Sequence, residues 1–253
     1  MILNFFDLKG KVALITGCNT GLGQGIAVGL AQAGCDIIGV NRSDPHETMN
    51  EVTRLGRRFL NLKADLGKID AIPSLLETAV REFGKIDILV NNAGIIRRED
   101  ALNFSEKDWD DVMDVNIKTL FFMAQAVAKQ YVSQGTGGKI INIASMLSFQ
   151  GGIRVPSYTA SKSAVLGITR LLANEWGQYG INVNAIAPGY MVTNNTQQLR
   201  TNEERNQQIL ERIPAGRWGS PEDIMGPIVF LASAASDYVN GYTLAVDGGW
   251  LAR

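Results

Sequence analysis

A chain of 253 residues that is 45% hydrophobic is long enough to bury the core of one large α/β domain and needs no second one. Its charges nearly cancel, at a formal net charge of -1 with no basic block, which argues against nucleic acid and against an anionic membrane surface as partners. Small molecules and other proteins are the expected partners instead. The apolar start of the chain is interrupted by Asp7 and followed by no small-residue cleavage site, so no signal peptide is expected, and no apolar run is long enough to cross a bilayer. Cys18 and Cys35 stand at the two ends of a helix-like stretch rather than in a paired framework. Such usage fits a reducing compartment, the cytoplasm, with both thiols buried and inert.

Short β-branched runs alternate with longer amphipathic stretches from end to end, the pattern of βαβ units wound into a parallel sheet. Strands are expected at residues 12–16, 36–40, 58–63, 88–90, 139–143, 182–186 and 243–246, about seven in a doubly wound α/β domain that spans residues 1–253. Helices are expected at 23–33, 47–55, 69–83, 106–134, 157–179 and 221–232. Ser105 followed by Asp108 resembles a capping box, and Ser220-Pro221-Glu222-Asp223 places a hydroxyl, a proline and acids where a first helical turn wants them. Residues 188–219 are polar and loosely patterned beyond the sixth strand, a candidate lid over a ligand.

The first strand runs into Thr16-Gly17-Cys18-Asn19-Thr20-Gly21-Leu22-Gly23. A glycine-rich turn that opens a helix turns backbone N–H groups and the positive helix end toward a pyrophosphate, and the glycines let the backbone approach it. The alternative is a tight turn without a ligand. Just past the second strand the chain reads Asn41-Arg42, where a dinucleotide site selects between a free ribose 2′-hydroxyl and a 2′-phosphate. Asn41 suits a hydroxyl, whereas Arg42 suits a phosphate, stacks on adenine or stays solvated, so local chemistry leans to NADP.

Ser145 is followed at thirteen residues by Tyr158 and, one helical turn on, by Lys162. Tyr158 and Lys162 therefore share a helix face. A free phenol, with a pKa of about 10, is a poor base at neutral pH, and a neighbouring ammonium is expected to lower that value by about 1–3. Ser145 ends the fifth strand, where its hydroxyl can hold a substrate oxygen. Each residue alone has a plain structural explanation, but their joint occurrence downstream of a phosphate loop points to proton transfer.

With this set, the sequence resembles the short-chain dehydrogenase/reductase family along nearly its whole length. The matching pieces are the glycine turn, Asn91-Asn92-Ala93-Gly94, Asn116, Ser145, Tyr158 with Lys162, and Pro188-Gly189 with Thr193. The resemblance implies a Rossmann-like oxidoreductase whose catalytic tetrad is Asn116, Ser145, Tyr158 and Lys162. Asn116 would hold a water of the proton relay, Ser145 would orient the reacting oxygen, Tyr158 would carry the proton, and Lys162 would also bind the nicotinamide ribose. It further implies that Gly17, Asn19, Thr20, Gly21, Leu22 and Gly23 hold the diphosphate and that Asp65 and Leu66 flank the adenine. Asn92, Ala93 and Gly94 would line the cofactor, and Pro188, Gly189 and Thr193 would touch the nicotinamide carboxamide. No metal is implied, and His46, the single histidine, sits in a proline-containing loop and is expected to face solvent.

Within that family, residues 95–100, 145–156, 213–219 and 247–253 are most similar to dehydrogenases of deoxy-keto sugar acids in bacterial pectin and uronate catabolism. This resemblance implies reversible oxidation of a sugar-acid hydroxyl with NAD, NADP being left open by Arg42. It also implies a homotetramer, with the helices of Asn116 and Tyr158 and the C-terminal strand at the interfaces. An anionic polyol wants a fixed guanidinium, for which Arg97, Arg98 and Arg154 are candidates, and Gln150 suits a hydroxyl. Gluconate 5-dehydrogenation and 3-oxoacyl reduction are rival activities, and a dinucleotide sensor without catalysis is a rival of another class.

Overall fold

The apolar runs become strands, and those at the centre of the sheet, Val12–Thr16 and Ile88–Asn91, are buried on both faces, as inner strands of a parallel sheet require. The computed structural model describes residues 1–253. It contains β1 (Val12–Thr16), β2 (Asp36–Asn41), β3 (Phe59–Lys63), β4 (Ile88–Asn91), β5 (Gly138–Ile143), β6 (Ile181–Pro188) and β7 (Thr243–Val246), in the order β3-β2-β1-β4-β5-β6-β7. All pairings are parallel; β1 lies between β2 and β4, with Ala13 facing Ile37 on one side and Ile88 on the other. Strand order reverses at β1 and β4, so their carboxyl ends diverge and open a crevice there.

The helices are α1 (Gly21–Gln32), α2 (His46–Arg54), α3 (Ile72–Phe83), α4 (Glu106–Met113), α5 (Thr119–Gln134), α6 (Pro156–Trp176), α7 (Gln197–Thr201), α8 (Glu203–Arg212) and α9 (Glu222–Ala232). Alternation along β1 sends Val12 and Leu14 to one face and Ala13 and Ile15 to the other. Leu75, Ala79, Val127 and Leu172 of α3, α5 and α6 cover the first face, and Ile26, Leu30, Ile224 and Ile228 of α1 and α9 cover the second. Cys18 and Cys35 are unpaired and buried in that second layer. Burial pushes the Cys18 thiol up to about 11 and the Cys35 thiol higher still, which keeps both protonated and unreactive.

Two departures from the sequence reading bear on the site. The single helix expected at 106–134 is interrupted by a π turn at Asp114–Lys118, the kind of irregularity that re-aims a side chain; here it turns Asn116 inward. The segment at 188–219 is not a loose loop but holds α7 and α8, closed at its base by a bridge between Met191 and Gly219. These helices escaped notice because they are short and mostly polar, with Ile209 their one buried residue. Ile209 packs with Met146, Ile213 and Trp250. The Ser105 cap is as expected, whereas the Ser220 hydroxyl does not cap its helix, whose N-cap is Pro221. Ser105 Oγ accepts the Asp108 N–H at 3.1 Å; α9 starts one residue late, with the Ser220 N–H donating to Asp223 Oδ2 at 2.7 Å. No helix is long and apolar enough to cross a membrane.

Candidate active site

β1 ends at Thr16, and its side chain fastens the neighbouring loop: Thr16 Oγ1 accepts the backbone N–H groups of Asn92 and Ala93, both at 3.0 Å. In return Asn92 Nδ2 donates to the Thr16 and Gly17 carbonyls at 3.0 and 2.7 Å. Gly17 has φ +67°, and a Cβ there would lie 3.1 Å from Ala93 Cα; a Cβ on Gly23 would run into the Gly17 carbonyl and come within 2.6 Å of Asn92 Nδ2. The turn is therefore drawn so tight that side chains are excluded. α1 opens at Gly21 with no acid in its first turn, leaving the positive helix end and free N–H groups facing a cleft of about 370 Å³. A bare backbone cradle of this kind fits a dinucleotide diphosphate.

Gly17, Asn19, Thr20, Gly21, Leu22, Gly23, Arg42, Asp65 and Leu66 all line this cleft, as do Asn92, Ala93, Gly94, Pro188, Gly189 and Thr193. Asn41 does not. β2 runs one residue further than expected, so Asn41 is the strand's last residue, 1% exposed. Its Oδ1 accepts the Cys18 N–H at 2.8 Å and its Nδ2 donates to Asn61 Oδ1 at 3.0 Å. Asn41 thus braces the glycine turn from beneath, and the wall beside the second strand is made by Arg42 and Ser43. No carboxylate stands where β2 ends, so nothing there repels a 2′-phosphate.

Ser145, Tyr158 and Lys162 meet at the far end of the same cleft. Lys162 is 4% exposed, its Nζ donates to the Ile143 carbonyl at 2.6 Å, and it lies 5.7 Å from the centre of the Tyr158 ring. Burial brings the ammonium down to about 8. Tyr158 moves the opposite way from the sequence expectation. Although its ring forms part of the wall, burial raises the phenol above its ordinary 10, with the Ser145 hydroxyl and the Arg98 charge pulling it back. Lys162 does not acidify Tyr158 here because desolvating a phenolate outweighs an ammonium that is itself buried and bonded to a carbonyl.

Ser145 stands two residues past β5 and caps a turn at Met146–Ser148, its Oγ accepting the Leu147 N–H at 3.1 Å. Ser148, which the sequence reading passed over, accepts the Ser145 N–H at 3.2 Å and donates to the Lys162 carbonyl at 2.6 Å. One hydroxyl thus joins the turn of Ser145 to the helix of Tyr158 and Lys162; the Ser-x-x-Ser spacing, a capping-box signature, was the available signal. Asn116 does not line the cleft. Its Oδ1 accepts the Ile95 N–H at 2.8 Å, and its Nδ2 donates to the Ile95 carbonyl and Ser161 Oγ at 3.0 and 3.1 Å. Both amide hydrogens are engaged, which leaves the carboxamide one oxygen lone pair with which to hold a water.

Of the substrate candidates, three are taken by other partners and do not line the cleft. Arg97 pairs with Asp108 at 3.3 Å and Asp111 at 3.6 Å, and Arg154 with Asp100 at 3.2 Å and Glu99 at 3.6 Å. Gln150 accepts from Arg212 at 3.3 Å. Arg98 has no carboxylate partner and donates to the carbonyl of Asn195, a residue of the cleft wall, at 3.1 Å. His46 is three-quarters exposed, as expected, beside Asp44.

The buried ammonium gives a testable consequence for stability. Because the Lys162 value falls from 10.5 to about 8, the folded chain binds fewer protons than the unfolded chain between these values. Its destabilising contribution is full below pH 8 and fades as pH rises toward 10.5. Wild type should therefore gain about 2 kcal/mol on Lys162→Met between pH 7 and pH 9.5 in urea unfolding; a pH-independent difference would contradict it.

Over residues 17–251 the chain matches a family model described as enoyl-(acyl carrier protein) reductase. It is 76% identical over 253 residues, 100% of both chains, to the 2-dehydro-3-deoxy-D-gluconate 5-dehydrogenase of Escherichia coli (strain K12). The protein of the same name from Bacillus subtilis (strain 168) is 57% identical over 249 residues, 98% of this chain and 97% of that one. A solved structure of gluconate 5-dehydrogenase from Burkholderia cenocepacia J2315, in complex with NADP and tartrate, superposes with a TM-score of 0.95 at 38% identity and 100% coverage of both. Together with the ordered motifs from the glycine turn to Thr193, these matches establish that the chain belongs to the short-chain dehydrogenase/reductase family.

Proposed function

We propose that the chain is an NAD(P)-dependent dehydrogenase that oxidises the C5 hydroxyl of 2-dehydro-3-deoxy-D-gluconate reversibly, in the cytoplasm, as a step of pectin and uronate breakdown. The observation that carries the reading is the meeting of Ser145, Tyr158 and Lys162 in the cleft that the glycine turn opens. The substrate is taken from the 76%-identical relative. Unpaired Cys18 and Cys35 support the compartment. Apolar and aromatic side chains left in the open on α4 and α6, Trp109 and Leu171, and beside β7, Tyr238 and Tyr242, support assembly as a homotetramer.

Arg42 is the residue offered to a 2′-phosphate, and the solved relative was obtained with NADP. NAD remains acceptable because Arg42 is a loop residue that need not repel a free ribose. When bound, the nicotinamide supplies or accepts the hydride. The Ser145 hydroxyl holds the reacting oxygen, its backbone fixed by the cap it forms. In the reducing direction Tyr158, protonated at neutral pH because burial raises its value, gives its proton to that oxygen. In the oxidising direction it must first release that proton, so oxidation speeds up as pH rises and reduction slows. Lys162 spends one N–H on the Ile143 carbonyl and keeps two for ribose hydroxyls.

Initial rates with each nicotinamide on 2-dehydro-3-deoxy-D-gluconate, gluconate and a 3-oxoacyl thioester test the assignment, and absence of turnover on the first removes it. Tyr158→Phe should lower kcat by about 10²–10⁴-fold with cofactor affinity kept; full activity would remove Tyr158 as the proton carrier and with it the proposed mechanism. Ser148→Ala should lower kcat by roughly tenfold, with Ser148→Thr restoring most of it and KM for cofactor unmoved. An unchanged kcat would reduce the bridge to a packing detail.

A further inference from the structure

The turn at residues 193–196, part of the cleft wall, is held by two guanidinium groups from different parts of the molecule. Arg98, seven residues beyond β4, donates to the Asn195 carbonyl at 3.1 Å. Arg200, on α7 of the lid, donates to the Thr193 carbonyl at 3.2 Å. Neither has a carboxylate within 4.0 Å, whereas Arg97, Arg154 and Arg217 each do. Arg200 is stranger still: its Nε is buried and has no hydrogen-bond partner at all. A buried cationic donor left unmatched is costly unless something arrives to accept from it. Two such cations beside a site that turns over small molecules call for an anion, and a planar carboxylate suits the guanidinium fork.

We propose that Arg98 and Arg200 form a split carboxylate site, one half on the body and one on the lid, which takes the acid group of the sugar-acid substrate. The site rests on the substrate class proposed above. Neither guanidinium lines the cleft while it is bonded to the turn, so engagement exchanges a carbonyl for a carboxylate on each and joins α7 to the body through the substrate. A neutral polyol of the same shape offers no such link. The carboxylate thereby selects acids over sugars without touching Ser145 or Tyr158. The competing source of negative charge in the same cleft is the cofactor diphosphate.

The test uses NADP-loaded full-length protein with tartrate as the probe anion, read by titration calorimetry, so that it does not depend on the true substrate being known. Arg200→Gln should weaken tartrate binding at least tenfold and Arg200→Lys by less, while the affinity for NADPH, read by its fluorescence, stays within twofold. In turnover, Arg200→Gln should raise KM for the sugar acid and leave kcat nearly unchanged. Tartrate binding that is unaltered in Arg200→Gln, or absent from wild type, overturns the site. Loss of NADPH affinity with tartrate affinity kept would assign Arg200 to the diphosphate and overturn it equally. If only turnover of the sugar acid is missing while the tartrate effect holds, the substrate assignment falls and the anion site stands. Should Arg200→Gln not fold, Arg98→Gln carries the same two readings from the other half.

Discussion

The contact on which the rest of the site depends is the 2.6 Å hydrogen bond from Lys162 Nζ to the carbonyl of Ile143, the last residue of β5. It anchors a buried cation at the carboxyl end of a central strand. That position is available only because a parallel sheet, with strands that all end on the same side, leaves carbonyl groups there with no further strand residue to bind them. The same burial lowers the Lys162 ammonium to about 8, still charged at neutral pH, and raises the phenol of Tyr158, which stays neutral there. The cofactor-free protein is thus arranged as a proton donor, and its use as a base needs the field of the occupied site.

Positioning is shared between backbone and a few short polar side chains. Thr16 and Asn92 lace β1 to the loop after β4, Asn41 props the glycine turn from below, and Ser148 ties the Ser145 turn to α6. Each is short, with few rotamers to freeze, and each satisfies backbone groups that the crevice would otherwise leave bare. Asn116 belongs with them: turned in by the π turn, it locks Ile95 to α6. Cofactor and substrate then meet a surface whose polar groups are already oriented, the condition for electrostatic stabilisation without reorganisation.

Much of this was legible in the sequence, for reasons tied to particular residues. The glycine turn was readable because a Cβ at Gly17 or Gly23 has nowhere to go. Tyr158 and Lys162 were readable because four residues make one helical turn. Asn41 was misread because one extra residue of β2 turns its side chain under the loop instead of over it. Arg97 and Arg154 were misread because the acids that claim them lie eleven and fifty-four or more residues away, and no spacing rule reports such pairs. The direction of the Tyr158 shift could not be read either, since spacing reveals neighbours and not how much water surrounds them.

The central claim, that burial and not the ammonium governs the phenol before the cofactor binds, is tested most directly by following the ring carbon next to the Tyr158 hydroxyl by nuclear magnetic resonance. Protein labelled at that carbon in its tyrosines, with Tyr158→Phe to assign the signal, is titrated without cofactor. The account predicts a titration midpoint for Tyr158 above the ordinary phenol value. Ionisation complete below about pH 9, well under the ordinary phenol value, would contradict it.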